Sequence, residues 1–245
     1  MLFRLLWCLL ISSVITQVTV FSTTIYLHRC ATHKALELHP AVAFAFRLAL
    51  WLTTGLSTRE WVAVHRKHHA FTEVEGDPHS PHLHGFWSVQ LGNVFHYVKE
   101  AHNEETLERY ARDITEDVWD RTLFRIGFLG PVTGYLMLGA LIGFWWAALA
   151  SAVHLIMYVF VLSSSINGLC HYVGYRNFDN TATNIKIVAL LTGGEGLHNN
   201  HHGHPRSPKF SFRPREIDPS WPIIRLLVAL HLAHPYKTIE EIHSN

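Results

Sequence analysis

Residues 11–33 read ISSVITQVTVFSTTIYLHRCATH, an apolar run that leads without a break into two histidines, His28 and His33. The apolar part begins at residue 5, and a run over 5–27 is long enough to cross a bilayer at about 1.5 Å per residue. A signal peptide is the alternative, but the run exceeds signal length and ends in no small-residue cleavage site. We therefore expect a membrane span that delivers histidines to one membrane surface.

Two further histidine clusters share a single spacing. HRKHH at 65–69 and HNNHH at 198–202 both have the pattern HxxHH. Residues at i, i+3 and i+4 lie on one face of an α-helix, so each cluster is expected to present three imidazoles to one volume. His28 and His33 lie about 140° apart on such a helix. They converge only if the first helix ends between them, near Cys30, or if two metals lie side by side.

The remaining apolar segments predict how the chain returns to that surface. Residues 126–166 are apolar for the length of two spans, which we assign to 126–143 and 146–167. Two crossings place the third histidine cluster on the same side as the second. An apolar run at 41–57 is assigned to an interfacial helix, because a crossing there would separate the first two clusters. A second interfacial helix is expected at 221–232.

The composition supports a membrane protein with one large aqueous face. Of 245 residues, 49% are hydrophobic and 16% are charged, which is too apolar for a typical soluble domain and too charged for a wholly transmembrane chain. The net charge of +1 gives no reason to expect nucleic acid as a partner. Three sparse cysteines give no disulfide framework, and buried, inert residues are favoured over metal ligands. An exposed acidic helix is expected around residues 100–120, as a solvated face rather than a docking patch.

The predicted fold is a single domain over residues 1–245, an all-α integral membrane protein. We expect three to four transmembrane helices and a helical cap that holds a histidine-rich site for two metals. Lys and Arg concentrate in the polar segments, so the positive-inside rule places this cap on the cytoplasmic side. Membrane lipids are expected to surround the transmembrane helices.

Asn167 and His171 form an i, i+4 pair at the end of the last predicted span. Together with the three clusters they make nine histidines and one amide, too many for one metal and suitable for two. Imidazole binds zinc, copper, iron and nickel, so the residues alone do not select the metal. Of the other histidines, His154 lies inside a span and is expected to be neutral and hydrogen-bonded across helices. Those at 79, 82 and 84 are expected in loops.

Taken in order, HRCATH, HRKHH and HNNHH resemble the histidine boxes of the membrane-bound fatty acid desaturases, and specifically of the acyl-CoA (stearoyl-type) branch. The segments EGDPH at 75–79, NGLCH at 167–171 and GEG at 194–196 add to the resemblance. It implies a di-iron enzyme that uses O2 and two electrons to form a cis double bond, at Δ9, in an acyl-CoA or acyl-lipid. A fatty acyl hydroxylase on the same ligand set is the alternative, and a zinc-binding scaffold is less favoured.

Carried over motif by motif, the resemblance implies nine ligands to two iron ions: His28, His33, His65, His68, His69, His171, His198, His201 and His202. Asn167 would contact one metal through water. Asp77 and Glu195 are the candidates for orienting the ligating imidazoles. Four cations could bind CoA phosphates or anionic lipid head groups, although a plain membrane-surface patch is equally favoured: Arg206, Lys209, Arg213 and Arg215.

The chain departs from the family pattern in two respects. The family typically has a helical hairpin before the first histidine box, whereas only one span fits into residues 1–27; either the start lies upstream or the first helix is dispensable. No fused haem-binding domain is evident. Electrons are therefore expected from a separate donor resembling ferredoxin, rubredoxin or cytochrome b5, together with its reductase.

Overall fold

The fold is built on a long apolar N-terminal helix, in a computed structural model that describes residues 1–243. Helix α1 (Leu2–Ser22) continues without a break into a π-helix, π1 (Thr23–Thr32). Hydroxyl side chains along it donate to carbonyl groups one turn back, as Thr16 does to Ser12 at 2.8 Å. These bonds give the hydroxyl groups a hydrogen-bond partner within the helix itself, as an apolar environment requires.

The π-helix explains how the first pair of histidines converges. The backbone N–H of His33 donates to the carbonyl of His28 at 3.2 Å, an i→i+5 bond. This wider winding brings residues five apart onto one side, whereas an α-helix would hold them well apart. The helix ends at Thr32, two residues beyond Cys30, and therefore between the two histidines, which is one of the two conditions for their convergence.

The elements that follow are short and mostly helical. In chain order they are β1 (Leu36–Leu38), α2 (Pro40–Thr54), α3 (Thr58–Phe71), α4 (Pro81–His84), α5 (Phe86–Ala101), α6 (Glu104–Tyr110), α7 (Val118–Arg121), α8 (Leu129–Ile142), α9 (Phe144–Leu155), π2 (Ile156–Ser163), α10 (Ser164–Asn167), a 3-10 turn (Leu169–His171), α11 (Lys186–Leu191), α12 (His198–Gly203), α13 (Ser220–Ala229), β2 (Ala233–Pro235) and α14 (Ile239–His243). The two strands pair antiparallel, with Leu36 opposite Pro235.

Within residues 1–243, two helices are long and apolar enough to cross a membrane, Leu2–Thr32 and Phe144–His171. The pair α2 and α3 makes a third candidate if it counts as one span, but the chain bends by 89° between the two helices. The molecule is thus an all-α membrane protein with two or up to three candidate spans. The predicted span at 126–143 falls on α8, whose 14 residues are fewer than the 20 or so that a crossing needs, and it stays a prediction. The predicted interfacial helices fall on α2 and α13.

Close backbone contacts hold the apolar helices together. A Cβ added to Gly130 on α8 would lie 1.9 Å from the carbonyl oxygen of Trp51 on α2, so only glycine permits this approach. On α9, His154 lies 3.0 Å from the Thr16 hydroxyl and 3.2 Å from the Thr53 carbonyl through its two ring nitrogens. The prediction that His154 is hydrogen-bonded across helices is confirmed.

The predicted acidic helix around residues 100–120 is wrong, because caps divide that segment. The Asn103 side chain accepts from the Thr106 N–H and starts α6, and Asp117 caps α7. The cysteines are free, as expected, with Cys8 and Cys170 buried.

Candidate metal centre

Two short helices carry the HxxHH clusters to the same place. Helix α3 is capped by the Ser57 hydroxyl, which accepts from the Glu60 N–H. Helix α12 is anchored by amide side chains: the Asn199 and Asn200 N–H groups donate to Asn184 Oδ1 at 3.0 and 3.3 Å. These polar contacts fix the two helices that carry the second and third histidine clusters.

The histidines form two groups. Within each group, one ring nitrogen from every member lies within 4.8 Å of the others. The five-histidine group consists of His28, His33, His65, His69 and His201, and the four-histidine group of His68, His171, His198 and His202. The structure thus gathers all nine of the histidines singled out by the sequence, and it divides them as a two-metal site requires.

Each HxxHH cluster contributes to both groups. In each cluster, the residues at i and i+4 belong to one group and the residue at i+3 belongs to the other. His65 and His69 are in the five-histidine group, whereas His68 is in the four-histidine group. His198 and His202 are in the four-histidine group, whereas His201 is in the five-histidine group. On an α-helix, i+3 and i+4 lie on opposite sides of position i, about 60° and 40° away. The expectation that all three imidazoles of an HxxHH cluster share one volume is therefore wrong, because one of the three belongs to the other group.

The ring nitrogens of the five-histidine group face one another. Nε2 of His201 lies 2.9 Å from Nε2 of both His28 and His69, and Nε2 of His65 lies 3.1 Å from that of His33. The two groups adjoin, since the rings of His69 and His202 stack with centroids 4.2 Å apart.

The four-histidine group leaves buried nitrogens without a hydrogen-bond partner. Nε2 of His68 and Nε2 of His171 are both in this state. Burial lowers the pKa of His198, His201 and His202 well below the ordinary histidine value, so these imidazoles are neutral. Neutral imidazoles with converging lone pairs are the donor set of a transition-metal ion, and the residues fit two such ions.

Three carboxylates contact the outer nitrogens of the histidines. Glu195 lies 2.6 Å from Nδ1 of His28, and Asp77 accepts from Nδ1 of His68 at 2.9 Å. Burial acts to raise the pKa of Asp77, yet the hydrogen bond from His68 lowers it to about 2.

The third carboxylate, Glu73, lies 2.8 Å from Nδ1 of His171, and the sequence reasoning missed it. Burial raises the pKa of Glu73. Its position just after the second histidine box, in the turn that also presents Asp77, is the signal that could have pointed to it. Carboxylates in such positions fix the tautomer and orientation of a ligating imidazole.

A buried ion pair supports the five-histidine side, and it too was missed. Arg29 and Asp218 are paired at 2.9 Å with both side chains 0% exposed. Arg29 also donates to the Thr24 hydroxyl, which in turn donates to Glu195. Burial raises the pKa of Glu195 to about 7, against the opposing effects of Arg29 and Thr24. A series of polar contacts through Glu195 and Thr24 thus links His28 to the buried cation of Arg29.

The histidines expected in loops lie closer to the site than predicted. His79 is in the turn before α4, but it is buried and forms a third possible donor group with His68 and Asp77. His82 and His84 lie on α4, not in a loop, and their Nε2 atoms contact the carbonyls of His171 and Asp77 at 2.9 and 3.0 Å.

Other predicted residues lie outside the two groups. The side-chain amide of Asn167 donates to Asn93 at 3.2 Å. Of the four cations, Lys209 pairs with Glu240, Arg206 stacks over Tyr236, and Arg213 donates to Asn177; Arg215 is exposed. The first three are thus already occupied by protein partners.

An apolar cavity of about 140 Å³ lies against the metal centre. His28, His65 and His79 form part of its wall, and Trp61 stacks on His65 with ring centroids 4.8 Å apart. Much of the rest is apolar: Val20, Leu56, Val64, Val94, Val159, Leu162 and Ile166. The cavity suits a saturated hydrocarbon segment placed beside the histidines.

Comparison with known proteins agrees with this arrangement. The family model described as "Fatty acid desaturase" matches residues 5–216. An acyl-CoA 5-desaturase of Anemone leveillei is 32% identical over 233 residues, which cover 91% of this chain and 70% of that protein. An sn-1 stearoyl-lipid 9-desaturase of Synechocystis is 31% identical, covering 87% and 66%. An sn-2 palmitoyl-lipid 9-desaturase of Nostoc is 33% identical, covering 84% and 73%.

Proposed function

The chain belongs to the fatty acid desaturase family, and we propose that it is an O2-dependent di-iron enzyme that introduces a cis double bond, at Δ9, into a fatty acyl chain. The single observation that carries this proposal is the division of nine imidazole donors into two adjoining groups beside an apolar cavity. The reaction converts –CH2–CH2– to –CH=CH–. O2 takes up the two hydrogens together with two electrons and two protons, so that two molecules of water leave.

Each part of the site has a defined task in this reaction. Bound at the two groups, iron would supply the oxidising power that an unactivated C–H bond demands, since no side-chain acid or base removes such a hydrogen. Of the nine imidazoles, His28, His68 and His171 are oriented by Glu195, Asp77 and Glu73 respectively, which fixes their tautomers. The apolar walls hold the acyl segment and exclude water.

The partners and location follow from the same reasoning. The substrate is a fatty acyl group carried by CoA or by a lipid, and the two electrons come from a ferredoxin-, rubredoxin- or cytochrome b5-like donor and its reductase. The metal centre faces the cytoplasm, because Lys and Arg concentrate in the polar segments that surround the third histidine box. Asn167 lines the cavity and would contact one metal through water.

Expression in a bacterium that lacks its own desaturase tests the proposal. Mass spectrometry of the lipids should show acyl chains lighter by two hydrogens, with the double bond at Δ9. Chains heavier by one oxygen would assign the site to a hydroxylase. Unchanged lipids in the presence of a functional donor would refute both reactions.

A further inference from the structure

Helix α5 exposes an apolar stripe that neither the metal centre nor the protein core uses. The stripe is made of four side chains that are between 44% and 72% exposed: Trp87, Leu91, Phe95 and Val98. The adjacent face of the same helix points inward, where Asn93, Val94 and Tyr97 line the cavity. One helix therefore carries both an external apolar surface and a wall of the substrate cavity.

These two faces are neighbours around the helix. At about 100° per residue, Val94 lies roughly 20° from Trp87, so the apolar stripe directly borders the cavity wall. The polar residues occupy the other side of the stripe, where Ser88 and His96 hydrogen-bond at 2.9 Å and Lys99 is exposed. This three-part pattern of water, lipid and protein faces is that of a helix lying in a membrane interface.

The stripe continues the apolar surface of a candidate span. Helix α5 packs against π2 and α10, which belong to the span Phe144–His171. On π2 itself, Ile156, Met157 and Val161 are exposed. Exposed apolar side chains are therefore found both on α5 and on the element of the candidate span that packs against it.

The seam between α5 and α10 is held by few polar contacts. Gln90 Nε2 donates to the Ser165 hydroxyl at 3.5 Å, and Asn167 donates to Asn93 at 3.2 Å. The Oε1 atom of Gln90 is buried there without a hydrogen-bond partner. Among the described residues, opening this seam would break only these two hydrogen bonds.

We propose that α5 lies in the membrane interface with its stripe in lipid, and that the seam between α5 and π2–α10 is a lateral portal. Through it the acyl chain of a bilayer glycerolipid reaches the cavity without passing through water. This inference rests on the proposed function and names the substrate class as acyl chains of membrane lipids.

Cysteine labelling in liposomes tests the position of α5. Phe95→Cys places a thiol in the stripe, and Ser88→Cys is the matched control on the polar side of the same helix. A water-soluble maleimide should label the control roughly tenfold faster. The unaltered chain, with Cys8 and Cys170 buried and Cys30 half-buried, gives the background rate. Equal labelling of the two variants would overturn the proposal.

A cross-link tests the portal. Gln90→Cys combined with Ser165→Cys allows the seam to be closed by oxidation, or by a short bis-maleimide if mass analysis shows free thiols. Desaturation of a saturated phospholipid in the same liposomes should fall at least about tenfold on closure. After oxidation alone it should recover with reductant, and the single-cysteine variants should not respond to either reagent.

Two outcomes separate the portal from the proposed function. A closed seam with full turnover of the phospholipid would refute the portal while leaving desaturation intact. If the unaltered chain desaturates neither the phospholipid nor the acyl-CoA, the proposed function itself fails.

Discussion

Removal of the Asp218 carboxylate should strongly destabilise the protein, although this residue belongs to none of the histidine boxes. Asp218 and Arg29 are paired with both side chains 0% exposed, and Arg29 also lies 3.7 Å over the Phe210 ring. Asp218→Asn keeps the shape of the side chain but leaves a buried guanidinium without its counter-charge. Breaking such a pair costs roughly 3–5 kcal/mol.

The predicted cost corresponds to a large thermal shift. At roughly 2–4 °C per kcal/mol for a chain of this size, the midpoint of unfolding in detergent should fall by about 6–20 °C. Lys34→Met is the matched control, because Lys34 pairs with Asp113 at 3.6 Å while both are about half exposed. Its loss should cost less than about 1 kcal/mol.

A double variant distinguishes the charge effect from a general packing effect. Combining Arg29→Met with Asp218→Asn removes both charges, so it should cost less than the sum of the two single changes. Asp218→Asn within about 1 kcal/mol of the unaltered protein, or a strictly additive double variant, would refute the reasoning.

Three further predictions concern other parts of the molecule. Glu73→Gln should weaken metal affinity by about 10–100-fold, because it removes the carboxylate that orients an imidazole of the four-histidine group; competition with a chelator measures this. Gly130→Ala should lower stability by roughly 1–3 kcal/mol, since its Cβ would meet the Trp51 carbonyl, whereas Gly92→Ala, with no atom nearer than 3.6 Å, should be tolerated. Burial acts to raise the pKa of Glu216, but two backbone N–H groups donate to it and its pKa is lowered. The stability that Glu216 contributes is therefore present above pH 4.5, the ordinary glutamate value, and is lost as the pH falls through the lowered pKa. Glu216→Gln should remove this part of the acid sensitivity. Thermal unfolding measured between pH 3 and 6 would show the difference.

Each of these predictions has a contrary result. Unchanged chelator competition in Glu73→Gln would show that this carboxylate does not support the metal. Equal thermal midpoints for the two glycine variants would mean that the helices do not approach as closely as described. An identical pH profile for Glu216→Gln would show that other groups dominate acid unfolding.

The sequence was sufficient to identify the helical membrane class and the histidines that converge. HxxHH on an α-helix projects imidazoles from one side, and apolar length predicts a span. His154 could likewise be assigned, because an imidazole inside a span needs hydrogen-bond partners. The helical class and the assignment of His154 depend on local periodicity and apolar length, whereas the full set of nine ligands is what the resemblance to the desaturases implies.

The features that were missed are a local change in helix winding and contacts between distant segments. The π-helix that aligns His28 with His33 has no signature in local spacing. The pairing of Arg29 with Asp218 joins residues 189 positions apart. The role of α5 becomes visible only once π2 and α10 pack against it.

The most direct test of the two-metal account is the metal content of the purified protein. Elemental analysis should find about two iron ions per chain, and His201→Ala should lose metal because it removes a ligand of the five-histidine group. His204→Ala is the control, since His204 lies in neither group and contacts His243. Two irons in the unaltered and His204→Ala proteins, with a clear loss in His201→Ala, is the expected result. One iron or none in the unaltered protein, or full iron in His201→Ala, would contradict the account.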